Sequence, residues 1–204
     1  MVAPAKPRPT VYYIRHGETD WNVGGRLQGR RDVPLNARGR GQAAHCGEIL
    51  RDLFARDHRN PADLDYVSSP LMRASATMEL ARGALGLPAQ GYRLDQRLSE
   101  ISFGDWEGFT IAQLHTHDPP GIAQREHDKW HFQPPGGESY QTMSLRIRDW
   151  YESLERDTVA AAHGGTARGL IAILGIEKPA AAPLVDIAQG VVYVFQGNQM
   201  TRYA

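Results

Sequence analysis

The chain has little cysteine and little lysine. Cys46 is alone in 204 residues, which excludes an internal disulfide and any cysteine-rich zinc centre. Only Lys6, Lys129 and Lys178 are lysines, so 20 of the 23 basic residues are arginines. Net charge is missing too: 23 basic and 23 acidic residues cancel, leaving no overall field to gather nucleic acid or an anionic membrane. No apolar run comes near the ~20 residues that a bilayer span requires. The opening MVAPAKPRPT has no apolar stretch to act as a secretion signal; residues 1–10 read as a flexible, proline-stiffened tail. These absences point to a cytoplasmic protein that binds neither nucleic acid nor membrane. What remains is 41% hydrophobic and 23% charged, the composition of one ordered domain with a sizeable core. Guanidinium grips phosphate or carboxylate oxygens in pairs, so the arginine excess hints at an anionic ligand, although GC-rich codon usage gives the same excess.

Val11-Tyr12-Tyr13-Ile14 is a β-branched and aromatic run that suits a buried strand. About 20 residues of Gly- and Arg-rich chain follow it, and loops of that length in compact domains are often functional. Asn36 can cap a helix carrying Ala43, Ala44, Ile49, Leu50, Leu53 and Phe54 at helical spacing, ended by Asn60-Pro61. Leu64–Val67 reads as a second strand, Leu71–Leu85 as a helix with Pro70 at its start, and Tyr92–Leu94 as a short strand. Gly and Pro punctuate residues 100–137, so 101–137 read as an inserted lid. Ser139–Arg156 has one apolar face and reads as a helix. Thr158–Ala162 suits a buried strand, and a helix follows Gly164-Gly165. Val191–Phe195 is the clearest strand; Gln196-Gly197-Asn198 turns it into an edge strand, Met200–Tyr203, whose free edge could pair with a second copy in a homodimer. Strands alternating with helices predict a three-layer α/β/α sandwich with a mostly parallel central sheet, one domain over 1–204.

Ligands of open α/β sheets gather beyond the carboxyl ends of the strands. Three predicted strand ends carry chemistry there: Arg15-His16-Gly17-Glu18, the Ser-Ser-Pro segment leading to Arg73, and His163-Gly164-Gly165. Two histidines, two arginines and two helix starts would converge on one spot suited to an anion, and a carboxylate from the Glu100 region can reach its rim.

The stretch YYIRHGETDWN followed by GRLQGRRDVPLNARGRGQA resembles the signature of the histidine phosphatase superfamily, also called the phosphoglycerate mutase-like family. The resemblance continues in SSPLMRASATMEL, RLSEISFGDWEG, PPGGES and VAAAHGGTARGL, in the family's order over about residues 11–170. It implies His16 as the nucleophile that becomes phosphohistidine. It also implies Arg15, Arg73 and a cationic His163 as the groups holding the equatorial phosphoryl oxygens. Glu100 would protonate the leaving alcohol and then activate water. Thr19, Asn22, Gln28, Gly29 and Gly164 match positions that line the phosphate site. Glu18 would orient an arginine. No metal or cofactor is implied, and the expected partner is a small phosphorylated substrate.

Glu107 lies within reach of the same loop and is the rival to Glu100. His127 and His131 have the spacing of a helical metal pair, but no third ligand accompanies them, and a solvated lid face is the reading. Arg30, Arg31, Arg38 and Arg40 suit a salt-bridged rim, and Cys46 an inert position on a helix's apolar side. The activity expected is metal-independent hydrolysis of a small phosphomonoester. A mutase would return the phosphoryl group to another hydroxyl, and an inactive phosphate-binding scaffold would not turn over. Gly164-Gly165-Thr166 after the second histidine is similar to the phosphatase members, and the chain ends soon after its last strand, where mutases carry a longer tail. Against the scaffold stands the intact set of five catalytic matches.

Overall fold

The first β-branched and aromatic run forms β1 (Val11–Arg15), with every residue from Val11 to Ile14 buried. The structure, a computed structural model, describes residues 8–204. After β1 come α1 (Asp20–Val23), α2 (Ala37–Arg56), β2 (Asp65–Ser68), α3 (Met72–Ala84) and β3 (Arg93–Leu94). The lid region contributes α4 (Ile111–His117) and α5 (Pro119–His127). Then follow α6 (Tyr140–Glu152), β4 (Thr158–Ala162), α7 (Gly164–Ile173), β5 (Val192–Gln196) and β6 (Gln199–Tyr203).

The sheet order is β3-β2-β4-β1-β5-β6. β3, β2, β4 and β1 are parallel, whereas β5 runs antiparallel to both β1 and β6. The sheet is thus mixed, parallel on the side that carries the predicted strand ends. Because side chains alternate across a strand, Tyr12 and Ile14 of β1 join α2 and α3 on one face. Val11 and Tyr13 join α6 and α7 on the other. A strand buried on both faces has no polar alternation, which is why β1 and β4 read as unbroken apolar runs. The three-layer expectation holds.

Local chemistry adjusts several expected boundaries. The long loop after β1 is not wholly irregular, because Thr19 and Asn22 form a capping box around the single turn of α1. Asn36 caps α2 by accepting the Gly39 N–H at 2.9 Å. α2 stops before Asn60, at Asp57, where the next residue, His58, turns to φ 51°. The expected flexible tail 1–10 is corrected at its end. Residues 1–7 lie outside the described residues, but Thr10 donates its N–H to Asp157 at 2.6 Å and accepts from Thr158 at 2.9 Å, so the chain is already sheet-bound there.

Residues 101–137, the segment expected as a lid, contribute a small core, Trp106, Leu114 and Ile122, with Leu27 packed against it. Leu27 also trades backbone hydrogen bonds with Gly108 and Phe109 at 2.8 and 2.9 Å. That stitching ties the lid to the loop after β1. Ile101, by contrast, belongs to the main core. Among the described residues no helix is long and apolar enough to cross a membrane.

Candidate active site

Strand register brings the site together. β1 and β4 align Arg15 with Ala162, and β4 and β2 align Ala161 with Ser68. Three adjacent parallel strands therefore end within one residue of one another, β2 one residue short of the other two, and His16, His163 and Ser69 follow them directly. Backbone bonds extend the pairing by one residue: His16 donates to Ala162 at 2.8 Å and Ser69 to Ala161 at 3.0 Å. The His16 and His163 rings lie 5.2 Å apart, centre to centre. Both side chains are buried.

The His16 ring has a fixed orientation and tautomer. Its Nδ1 lies 2.7 Å from the Gly17 carbonyl. A carbonyl only accepts, so Nδ1 carries the proton and Nε2 keeps its lone pair. Burial, then Arg73, then Arg15 hold the His16 pKa well below the ordinary histidine value. The ring is neutral, with an unshared pair on Nε2.

His163 is anchored from two sides. Its Nε2 lies 2.7 Å from the Ser69 hydroxyl. Its backbone N–H donates to the Tyr13 hydroxyl at 3.0 Å and to Thr166 at 3.1 Å, while Tyr13 donates to the His163 carbonyl at 2.7 Å. The cationic His163 expected from the sequence belongs to the state with an anion beside it. Burial, Arg73, His16, Arg146 and Arg15 all push its pKa well below the usual value, so within the protein alone this ring is neutral too.

Two guanidinium groups flank the pair. Arg73, fully buried on α3, donates to the Arg31 and Gly29 carbonyls at 2.7 and 2.8 Å. Arg15 donates to the Ile187 carbonyl at 2.6 Å. Neither pairs with a carboxylate among the described residues. Burial lowers the pKa of each, but a guanidinium remains charged. Buried charges are unfavourable unless compensated, so this corner of the fold is prepared for an anion. Among the described residues, four buried side-chain atoms here have no partner: Arg15 Nε, Arg73 Nε, Gln28 Oε1 and His163 Nδ1.

Glu100 stands at the rim, accepting from the Gly165 and Ile101 backbone amides at 3.2 and 2.9 Å. Its rival Glu107 is occupied with the loop after β1, accepting from Arg30 N at 2.9 Å and from Phe103 N at 3.2 Å while facing the Arg31 guanidinium at 3.5 Å. Glu107 is a clamp, and Glu100 is the carboxylate at the histidines' end of the sheet.

The proposed lining residues divide. Gln28 is buried with a free carbonyl oxygen, and Gly29 presents its carbonyl to Arg73. Gly164 opens α7 between Arg15 and Arg168. Thr19 is corrected from lining to support, because its hydroxyl bonds Asn22 within the cap of α1. Asn22 Oδ1 accepts from Thr19 and from Gln189, which leaves its Nδ2 as the donor to offer. Glu18 does meet an arginine, the exposed Arg38, at 3.4 Å.

Sequence reasoning missed four residues. Ser69 holds His163, though it lay in the very stretch quoted for Arg73. Gln189 bridges the His16 carbonyl and Asn22 Oδ1, both at 3.1 Å, and no pattern in its loop signals this. Arg146 donates to the carbonyls of Arg97, Ser99 and Glu100 at 2.6, 2.6 and 3.2 Å, which fixes the segment bearing Glu100. Glu138 in turn holds Arg146 at 3.0 Å and Arg30 at 3.1 Å.

Comparison with known proteins agrees with this geometry. The chain is 38% identical over 176 residues to a glucosyl-3-phosphoglycerate phosphatase of Mycobacterium tuberculosis, covering 79% of this chain and 73% of that one. It is 30% identical over 193 residues to a 2,3-bisphosphoglycerate-dependent phosphoglycerate mutase of Beijerinckia indica, covering 90% and 89%. Among solved structures, a mycobacterial glucosyl-3-phosphoglycerate phosphatase in complex with VO3 superposes with a TM-score of 0.76 at 29% identity, over 97% of each chain. A family profile matches residues 11–201, nearly the whole sheet and every residue of the site, and the chain belongs to the family it describes, the histidine phosphatase superfamily (branch 1).

Proposed function

We propose that this phosphomonoester hydrolase of histidine phosphatase type acts on a small phosphorylated substrate by way of a phosphohistidine at His16. The observation that carries the reading is the set of buried polar atoms unpartnered among the described residues, Arg15 Nε, Arg73 Nε and His163 Nδ1, around a histidine whose Nε2 lone pair is free. His16 Nε2 attacks phosphorus in line, forming an N–P bond as the P–O bond to the alcohol breaks. Arg15, Arg73 and His163 hold the equatorial oxygens. A bound phosphate dianion lies next to His163 and favours its protonation, offsetting the neighbours that otherwise keep it neutral. Glu100 in its acid form protonates the departing oxygen, and as a base it then takes a proton from the water that opens the phosphoenzyme. The two guanidinium groups supply the positive charge this step needs, so the reading requires no metal. A single buried cysteine and the lack of net charge suit a cytoplasmic setting.

Steady release of inorganic phosphate from 4-nitrophenyl phosphate tests this. His16→Ala abolishes release and phosphoenzyme formation while the far-ultraviolet circular dichroism stays native; turnover close to that of the unaltered enzyme rejects His16 as nucleophile. The likeness to a mutase favours transfer to a second hydroxyl as the other reading. Isomerised ester appearing faster than free phosphate would support it.

A further inference from the structure

Glu100 lies in neither helix nor strand. Among the described residues its carboxylate bonds two backbone amides, those of Gly165 and Ile101, and no side chain. The place of that carboxylate therefore depends on how its own backbone is held, and Arg146 holds it. This guanidinium projects from α6 and spends every N–H it has. Nη1 donates to the Arg97 and Ser99 carbonyls, both at 2.6 Å. Nη2 donates to the Glu100 carbonyl at 3.2 Å and to Glu138 Oε2 at 3.0 Å, and Nε to Glu138 Oε1 at 3.1 Å. Every donor of the rigid, planar fork has an acceptor.

Glu138 is saturated in turn. Besides both prongs of Arg146, it accepts the Ser102 N–H at 3.0 Å on Oε2 and faces Arg30 Nη2 at 3.1 Å on Oε1. These partners fill the lone-pair directions of a carboxylate. Its own N–H donates to the Ser102 carbonyl at 2.9 Å. One ion pair thus clamps the backbone on both sides of Glu100, from residue 97 to residue 102. Arg30 ties the pair to the loop whose Gly29 and Arg31 carbonyls hold Arg73. With side chains only 18% and 21% exposed, and with no donor of Arg146 left over, the pair is not placed to grip a substrate.

We propose that Arg146 and Glu138 are positioning residues for proton transfer by Glu100: their ion pair fixes the backbone of residues 97–102 so that the Glu100 carboxyl meets the leaving oxygen, and later the attacking water, within hydrogen-bond reach. A general acid must stand about 2.6–3.2 Å from the atom it protonates, and a displacement of about 1 Å can cost ~10²-fold. A planar guanidinium that bridges three carbonyls and a carboxylate sets such a position, whereas an ammonium is a point donor and does not. The inference rests on the role given to Glu100 above. Neither residue touches the substrate, so holding the phosphoryl group is left to Arg15, Arg73 and His163.

Two esters test it by their rates of phosphoenzyme formation: phenyl phosphate, whose leaving group needs a proton, and 4-nitrophenyl phosphate, whose leaving group does not. Arg146→Lys lowers the rate with the phenyl ester roughly tenfold or more and the rate with the 4-nitrophenyl ester by less than about threefold. The substrate concentration giving half the maximal rate hardly moves for either. Glu138→Gln, which keeps the shape and removes the charge, gives the same split, and it carries the comparison should Arg146→Lys fail to melt cooperatively. In a Glu100→Gln background neither substitution slows the phenyl ester further, because no proton is left to place. Equal slowing of the two esters in a folded variant, no slowing of either, or added slowing in the Glu100→Gln background overturns the positioning role and leaves the phosphatase reading standing. Should Glu100→Gln by itself leave the rate with the phenyl ester unchanged, the acid assigned above is wrong and the inference falls with it.

Discussion

A histidine attacks phosphorus only while its ring is neutral, and both rings of this site are kept so by burial and by Arg73 and Arg15. The same property makes the fold sensitive to acid. In the unfolded chain each ring takes up a proton below about pH 6.5. In the folded chain both pKa values are depressed, so the unfolded state binds more protons and stability falls with pH. The slope is up to about 1.4 kcal/mol per pH unit for each ring. Urea melts between pH 7 and pH 5.5 should therefore show a steep loss that flattens in the His16→Asn, His163→Asn double variant; an equal slope in both proteins contradicts the assignment. Gly165 offers a sharper probe of Glu100. A Cβ there would stand 2.3 Å from Glu100 Oε1 and 2.8 Å from Ile101, so Gly165→Ala pushes the carboxylate away. Phosphoenzyme formation from an alkyl phosphate should fall roughly 10²-fold or more, the usual contribution of a general acid. A 4-nitrophenyl ester, whose leaving group needs no proton, should lose less; rapid-quench kinetics on both esters read the difference. At this scale the sequence was readable where a residue follows a strand directly, as His16 and His163 do. Gln189 and Arg146 act through carbonyls far away in sequence, and no local pattern records such a contact.

Elements matter here mainly for what they bring close. The turn after β1 crosses the start of α2 so tightly that a Cβ on Gly39 would sit 2.1 Å from the Glu18 carbonyl, and one on Gly17 would sit 2.1 Å from the Gly39 carbonyl. Backbone meets backbone there, with no flexible side chain to yield. Gly39→Ala should cost about 1–3 kcal/mol as strain, seen as a lower midpoint in thermal melts; an unchanged midpoint would mean that the crossing relaxes freely. The strands β1, β4 and β5 and the long helices were legible because their apolar period is clean. Helix ends were less so: α2 stops on the left-handed turn at His58, an uncommon conformation for a non-glycine residue. The single turn of α1 was hidden because its signal is one capping pair inside a polar loop.

The molecule as a whole joins a six-stranded sheet to a segment, residues 101–137, that is bonded to the loop after β1. Adjacent strand ends and two helix starts bring Arg15, His16, Arg73 and His163 together, while residues 101–137 have a separate core around Trp106, Leu114 and Ile122. Three-layer architecture could be read from the alternation of elements, whereas the antiparallel β5–β6 edge and the lid's own packing depend on long-range contacts. Because guanidinium groups supply the positive charge, a chelator such as EDTA should leave the hydrolysis rate within about twofold, measured by phosphate release; a loss restored by a divalent metal would contradict that account. The proposed function depends on covalent phosphorylation of one buried imidazole. Rapid quench into base with a radiolabelled phosphomonoester, followed by peptide mapping, should find acid-labile, base-stable label on the peptide containing His16 at a rate matching turnover. Label on another residue, or full turnover with no labelled protein at any time, would contradict it.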